Sequence, residues 1–227
     1  YESEIYYSKK DNIDYLKQLE LKDAEVLLDI KFKYGKMNSN ELMKYTYVNF
    51  PYYAIKSTKA EEILNKAEFS KVTAAIPRNN GKILFTIGYE GISLEEYLNR
   101  LLKNNIKVLI DVRNNPLSMK YGFSKNQLNK CCESLDIKYF HFPEVGIQSN
   151  KRKSLNKQGD YDKLFSDYRK TNLTKTQSTQ NAILDVLKQY HRLALTCFEA
   201  DINRCHRKPL AEAINKLSGL DYEVKHI

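Results

Sequence analysis

The feature that most constrains the fold is a series of short apolar runs that alternate with amphipathic segments after residue 82. Runs that are apolar throughout and rich in β-branched residues are typical of strands buried on both faces of a parallel sheet. We predict strands over 83–87, 108–112, 137–142, 193–198 and 222–227. The alternation predicts an α/β fold, a mostly parallel Rossmann-like sheet of about five strands with helices on both faces.

The segments between the strands predict helices from their apolar spacing and their capping residues. Ser93 and Ser124 each stand three residues before a Glu or Gln, as in a capping box. Further helices are predicted over 161–168, 182–190 and 209–217, whereas the polar run 171–180 is predicted to be a loop.

The first part of the chain has a different pattern of apolar residues, and that pattern predicts a small helical domain. One helix is predicted to stop at Gly35, in a left-handed conformation, and Asn38 with Glu41 forms a capping box for the next, which Pro51 ends. This helix, turn and short helix resemble a helix-turn-helix, with a winged-helix-like domain as one form. A small core rimmed by tyrosines is the alternative. We predict three parts: a helical domain over 1–76, a linker over 77–81 and an α/β domain over 82–227.

Composition narrows the functional classes. No apolar run approaches the roughly 20 residues of a membrane span, and no signal-peptide pattern opens the chain, so we expect a cytoplasmic protein without a membrane partner. Four cysteines are too few for a disulfide scaffold.

The net charge is +9, and residues 149–180 alone carry eight basic and three acidic side chains. Such a patch attracts phosphate-bearing partners, or is a solvated basic loop.

Ionisable side chains follow several of the predicted strands. Because parallel strands bring their carboxyl ends to one edge of the sheet, these side chains are expected to converge there. The candidate acid, base or nucleophilic groups are Glu90, Asp111, Cys197 and Glu199. The candidate anion binders are Gly88, Arg113, His206 and Arg207. Asp111 and Arg113 point the same way in an extended chain, so they either orient a substrate or pair with each other.

The order of these motifs resembles the Domain of Unknown Function 488 family. The matching pieces lie between about Leu84 and Ile227 and are Thr86-Ile-Gly-Tyr-Glu, Ile110-Asp-Val-Arg, Cys197-Phe-Glu-Ala-Asp, Cys205-His-Arg and His226-Ile. The resemblance implies an α/β fold and a shared site, without a settled reaction, and a helical extension before the domain. The chain departs from the family at Gly146-Ile147, where members usually have a Gly-Gly-like turn.

Two further predictions concern ligands. The basic residues Lys151, Arg152, Lys153 and Lys157 are candidate nucleic-acid contacts. The cysteines at 197 and 205 with His206 lack the close ligand pairs of usual zinc sites, and the alternative is that both thiols pack as small hydrophobes, so we predict no metal and no cofactor.

Two functions fit these observations. The first is an enzyme that acts on a nucleotide, a nucleic acid or another phosphorylated substrate at the carboxyl edge of the sheet. The second is a non-catalytic module that binds nucleic acid or senses a ligand. The sequence does not decide between them, and it predicts no oligomeric state.

Overall fold

The computed structural model describes residues 14–152, 155, 157–219 and 222–227. The chain divides into two compact units, Tyr1–Ile76 and Pro77–Ile227. Within the described residues, the first unit is helical, as predicted. Its helices are α1 (Leu21–Tyr34), α2 (Ser39–Asn49), α3 (Ala60–Ile63) and α4 (Lys66–Ala75).

The capping prediction for α2 is confirmed. The Asn38 side chain accepts hydrogen bonds from the backbone amides of Asn40 and Glu41, and the Glu41 carboxylate accepts from the Asn38 amide. The prediction that the first helix stops at Gly35 is confirmed, since α1 ends at Tyr34, but the left-handed conformation is wrong: Gly35 has a right-handed φ of −64°, and its amide donates to the Lys31 carbonyl. Among the described residues of this unit, Ala54, Ala60, Leu64 and Val72 form a small buried core. Whether it acts as a helix-turn-helix stays a prediction.

The second unit has the predicted α/β architecture. Its strands are β1 (Ile83–Gly88), β2 (Val108–Asp111), β3 (Lys138–His141), β4 (Arg192–Cys197) and β5 (Glu223–His226). Its helices are α5 (Leu94–Lys103), α6 (Lys125–Glu133), α7 (Gln158–Tyr168), α8 (Gln177–Tyr190) and α9 (Arg207–Leu217). The strand order is β3-β2-β4-β1-β5, and every pairing between the described strands is parallel.

Helices cover both faces of this sheet. On one face, Leu84, Ile110 and Leu195 pack with residues of α8 and α9 such as Leu187 and Ile214. The alternate strand residues point to the other face, where they pack with residues of α5 and α6. β1, β2 and β4 are therefore buried along their whole length, as the continuous apolar runs predicted.

Two local predictions need correction. Ser124 precedes α6 but makes no capping hydrogen bond, because its hydroxyl oxygen accepts from the Ser118 amide while its hydrogen is donated to the Ser118 carbonyl. The predicted loop over 171–180 is largely helical: a π-helical turn over Arg169–Leu173 continues α7, and α8 begins at Gln177. The side chain of Gln180 is buried and donates to the Leu173 carbonyl at 2.6 Å, so a polar residue lies on the inner face. That contact is invisible to apolar spacing.

Candidate functional site

The carboxyl end of β2 carries a buried ion pair. Asp111 is fully buried, and its carboxylate accepts hydrogen bonds from Arg113 Nε at 2.8 and 3.1 Å. Burial alone lowers the pKa of Arg113, but the hydrogen bonds and the charge of Asp111 raise it above its ordinary value. Arg113 is therefore a fixed cation, and the expected contact between these two side chains is confirmed.

Two tyrosines complete this ion pair. The Tyr139 hydroxyl, from β3, donates to Asp111 Oδ2 at 2.6 Å, and burial followed by the Asp111 charge raises the pKa of Tyr139. Arg113 Nη1 donates to the Tyr89 hydroxyl at 2.8 Å. The guanidinium is thus held between two strand ends, and its edge reaches the cleft described below.

The loop after β4 places His206 next to the carboxyl end of β2. Its Nε2 lies 3.0 Å from the Val112 carbonyl oxygen, which only accepts, so Nε2 carries the ring hydrogen. Nδ1 of the neutral ring is then an acceptor. It receives a hydrogen bond from Arg152 Nη2 at 2.8 Å and lies 3.8 Å from Cys197 Sγ. The thiol of Cys197 and the imidazole of His206 therefore form a close pair at the end of β4.

Arg207 stabilises the loop after β4 through hydrogen bonds. It is 1% exposed, its Nε donates to Cys205 Sγ at 3.0 Å, and its Nη2 donates to the Glu199 carbonyl. Gly88 lies against the same carbonyl, since a Cβ there would be 1.9 Å from it. Burial raises the pKa of the Cys205 thiol well above its ordinary value. In the structure Gly88 and Arg207 thus hold the loop in place.

Glu199 and Arg152 form a second ion pair beside the thiol. Their side chains are 15% and 24% exposed and are joined by a hydrogen bond from Arg152 Nη1 to Glu199 Oε1. Burial raises the pKa of Glu199, but the charge of Arg152 and hydrogen bonds to the carboxylate outweigh it and lower the pKa below the ordinary value. Glu199 is therefore an anion that holds Arg152 against His206.

Glu90 has a structural partner. Its carboxylate accepts from the Ala200 backbone amide at 2.9 Å, and it is exposed. Glu90 and Glu199 both line a small pocket of about 260 Å³ next to the cleft, together with Arg152 and Arg204. The structure therefore brings the two carboxylates to one pocket, which shares Arg152 and Phe198 with the cleft.

The reactive groups face one cleft of about 440 Å³ at the carboxyl edge of the sheet. Cys197 and His206 line it together with the three cations Arg113, Lys120 and Arg152. Aromatic and apolar side chains form a further part of its wall, namely Tyr89, Leu117, Met119, Ile147 and Phe198, and the polar residues Asn114, Asn115, Ser118 and Ser149 complete it. A thiol, an imidazole and three cations around one cavity are suited to hold an anion beside a reactive group.

Comparison with known proteins supports the family resemblance that the sequence motifs indicated. The family model described as "Domain of unknown function DUF488" matches residues 93–214, which is more than half of the chain. The chain belongs to this family. Neither the curated proteins nor the solved structures gave a match. The matched range includes Asp111, Arg113, Cys197 and His206, so the cleft lies mainly within the part that this domain defines.

The described residues of the basic stretch that is predicted to bind nucleic acid lie in different environments. Lys151 is half-exposed and lies 3.5 Å from Asp167, and the exposed Lys157 precedes α7. Arg152 points inward, to Glu199 and His206. Lys153 lies outside the described residues. The stretch is therefore divided between the surface and the cleft, and its binding to nucleic acid stays a prediction.

Sequence reasoning missed several residues of the cleft. Tyr89, Lys120 and Phe198 were not singled out, and neither was Tyr139, although its place two residues before His141 on β3 puts it on the same side of that strand. Lys120 Nζ donates to the Tyr89 carbonyl at 3.0 Å and comes from a long loop. No local pattern places a side chain from such a loop at the site.

Proposed function

We propose that this protein is an enzyme that acts on a phosphate-bearing substrate of the nucleotide type, bound in the cleft at the carboxyl edge of the sheet. The observation that carries the proposal is the shared lining of one cavity by three cations and by the pair Cys197 and His206. Guanidinium groups bind phosphate oxygens with two parallel hydrogen bonds, which a carboxylate-lined cleft does not offer.

The Arg113 side chain is already held in one orientation before a phosphate binds. Asp111 and Tyr139 fix its orientation, so little side-chain entropy is lost when a phosphate binds at its exposed edge. Lys120 adds a second charge that is only partly buried. The two cations flank the cleft, and they favour a substrate with a negative group between them.

The aromatic wall favours a planar group on the same substrate. The Tyr89 ring is stacked on Phe123 at 4.3 Å and meets Phe198 edge to face at 5.3 Å. Phe198 remains 45% exposed and lines the cleft. A nucleobase that packs on such a surface gains about 1–3 kcal/mol. Phosphate and base together define the nucleotide class.

Binding to the cleft is tested with nucleoside monophosphates and the matching nucleosides, by calorimetry at low salt. We expect a monophosphate to bind at least tenfold more tightly than its nucleoside, and the difference to shrink in Lys120→Gln. Lys188→Gln, which removes an exposed charge on α8, is the matched control and should change nothing. Equal affinities for nucleosides and monophosphates would contradict the proposal.

Turnover is tested by incubating the protein with a nucleotide panel and separating the products by chromatography with mass detection. Cys197→Ser should abolish turnover and leave monophosphate binding within a few-fold, since serine is a weaker nucleophile and a poorer metal ligand. Binding without any turnover in the wild-type protein would instead support the ligand-sensing module.

One observation favours a nucleic acid over a free nucleotide as the substrate. The loop after β2 exposes three large side chains beside the cleft: Leu117 at 75%, Met119 at 105% and Tyr121 at 75%. Exposed apolar and aromatic groups next to cations are typical of single-stranded nucleic-acid surfaces. Fluorescence anisotropy with a labelled single-stranded oligonucleotide tests this, and Tyr121→Ala should weaken binding several-fold. Unchanged binding in that variant would exclude the loop from the interface.

A further inference from the structure

Three side chains that usually bind soft metal ions meet at the end of β4. The Sγ atoms of Cys197 and Cys205 and a ring nitrogen of His206 all lie within 4.8 Å of one another, and all three residues are buried. Their spacing in the chain is not that of a usual zinc motif, so the cluster arises from the path of the 198–206 loop.

The distances in this cluster are close to those of a metal centre. Zinc binds thiolate sulfur at about 2.3 Å and imidazole nitrogen at about 2.0–2.1 Å, so a tetrahedral ion separates such donors by roughly 3.5–3.8 Å. Cys197 Sγ and His206 Nδ1 are already 3.8 Å apart. Only small side-chain movements are needed to bring Cys205 Sγ, within 4.8 Å of both, into the same shell.

Two of the donor residues also make the kind of supporting hydrogen bond that metal ligands usually make. A ligating histidine usually donates its other ring N–H to a carbonyl, and His206 Nε2 lies 3.0 Å from the Val112 carbonyl oxygen. That bond leaves the lone pair on Nδ1, which lies 3.8 Å from Cys197 Sγ and in this structure accepts from Arg152. The Cys205 sulfur receives a hydrogen bond from Arg207 Nε at 3.0 Å, which stabilises a thiolate.

A cation already lies against these donors. Arg152 Nη2 is 2.8 Å from His206 Nδ1, and its Nη1 is paired with the Glu199 carboxylate. The guanidinium is poorly accommodated, since its buried Nε and the buried Oε2 of Glu199 have no hydrogen-bond partner in the described structure. Arg152 belongs to a short 3-10 helix and not to the sheet, so its side chain can leave.

We propose that Cys197 Sγ, Cys205 Sγ and His206 Nδ1 bind a zinc ion, with Arg152 displaced from the imidazole and the fourth position open to the cleft. Three protein ligands and one open position are the arrangement of catalytic zinc. Cys197 and His206 both line the cleft, which gives that position access to a substrate. Binding converts two thiols to thiolates and releases their two protons to the buffer.

The role of such an ion, though not its binding, rests on the proposed function. An open zinc in a cleft with Arg113 and Lys120 polarises an oxygen of the bound substrate or lowers the pKa of a bound water. Cys197 then acts as a ligand and not as an attacking thiol. This explains why the thiol, a second cysteine and a histidine meet next to the cations.

The test uses the full chain, purified from zinc-supplemented medium without a metal-binding tag and dialysed against metal-free buffer. We expect about one zinc per chain by elemental analysis. After exchange with cobalt, we expect the near-ultraviolet charge-transfer band of a cobalt–thiolate bond. Cys197→Ser and His206→Asn should each lose the band and most of the metal, whereas Cys131→Ser, which alters a partly exposed thiol on α6, should keep both.

A second variant keeps the test valid if those proteins fold poorly. Arg152→Met removes the competing cation and leaves all three ligands, so zinc affinity should rise by at least severalfold. Protein with far less than one zinc per chain, no cobalt–thiolate band and no gain in Arg152→Met would overturn the inference.

The two proposals fail in different ways. Monophosphate binding without metal would retain the proposed function and remove the zinc, and stoichiometric zinc without nucleotide affinity would do the reverse.

Discussion

The buried carboxylate of Asp111 accepts hydrogen bonds from both the side chain and the backbone amide of Arg113, two residues further along the chain. The pair is closed by Tyr139 from the neighbouring strand. An ion pair inside one tripeptide cannot move apart when the loop moves, so it ends β2 rigidly and directs the guanidinium toward the cleft.

Replacing Asp111 by Ala should lower the free energy of unfolding by about 3–5 kcal/mol, because the Arg113 charge would remain buried without its partner. Chemical denaturation of the wild type and the variant measures this. The double variant Asp111→Ala with Arg113→Met removes both charges and should be less destabilised than the sum of the single changes. Strict additivity would mean that the two side chains act independently.

Gly88→Ala should destabilise the fold, because the new Cβ would lie 1.9 Å from the Glu199 carbonyl oxygen and 2.9 Å from Arg207 Nη2. Overpacking of this kind costs about 1–3 kcal/mol or more. Gly159→Ala is the control, since a Cβ there has no heavy atom within 4 Å. Thermal unfolding of the two variants compares them. Equal melting temperatures would show that the loop after β4 yields easily.

Neutralising Lys151, Lys153 and Lys157 together tests the basic stretch. If all three contact phosphates, the slope of log affinity against log salt should flatten by about 2–3 units, at roughly 0.7–0.9 per contact. Titrations of single-stranded and duplex oligonucleotides at several salt concentrations give the slope. A triple change of exposed lysines elsewhere, Lys188, Lys216 and Lys225, should leave it unchanged. If both triple variants behave alike, the stretch is a solvated surface.

His226 should make stability fall in mild acid. Burial, and then the charges of Arg207 and Lys208, lower the pKa of this imidazole, whose Nδ1 is 2.7 Å from the Thr86 hydroxyl. Below the ordinary histidine pKa of about 6.5, the unfolded chain binds the proton better than the folded chain, so stability falls as the pH falls toward the lowered value. In His226→Gln the loss between about pH 7.5 and 5 should be smaller. An identical pH profile would contradict this assignment.

Local patterns were sufficient for the strands and for the ion pair. β1, β2 and β4 are buried throughout, so their sequences are mainly apolar and easily recognised. The period of two along an extended chain was enough to pair Asp111 with Arg113. The convergence of side chains at one sheet edge followed from parallel strands alone, whatever their order.

Long-range contacts were beyond such patterns. Arg152 pairs with a carboxylate 47 positions away, so its role depends on a long-range contact and not on its basic neighbours. The meeting of Cys197, Cys205 and His206 depends on the path of another loop. The first turn of α8 was missed because the buried Gln180 there is polar.

The position of β4 has a consequence for how the protein is made. β1 and β2 come first in the chain, yet each pairs with β4 and not with the other. During synthesis from the amino end, the sheet is therefore in two pieces until residues 192–197 are available. The same late strand delivers Cys197 to the cleft. A ribosome-bound chain that stops short of β4 thus has unpaired strand edges and lacks Cys197, so the joining of the two pieces of the sheet and the arrival of this thiol are a single event.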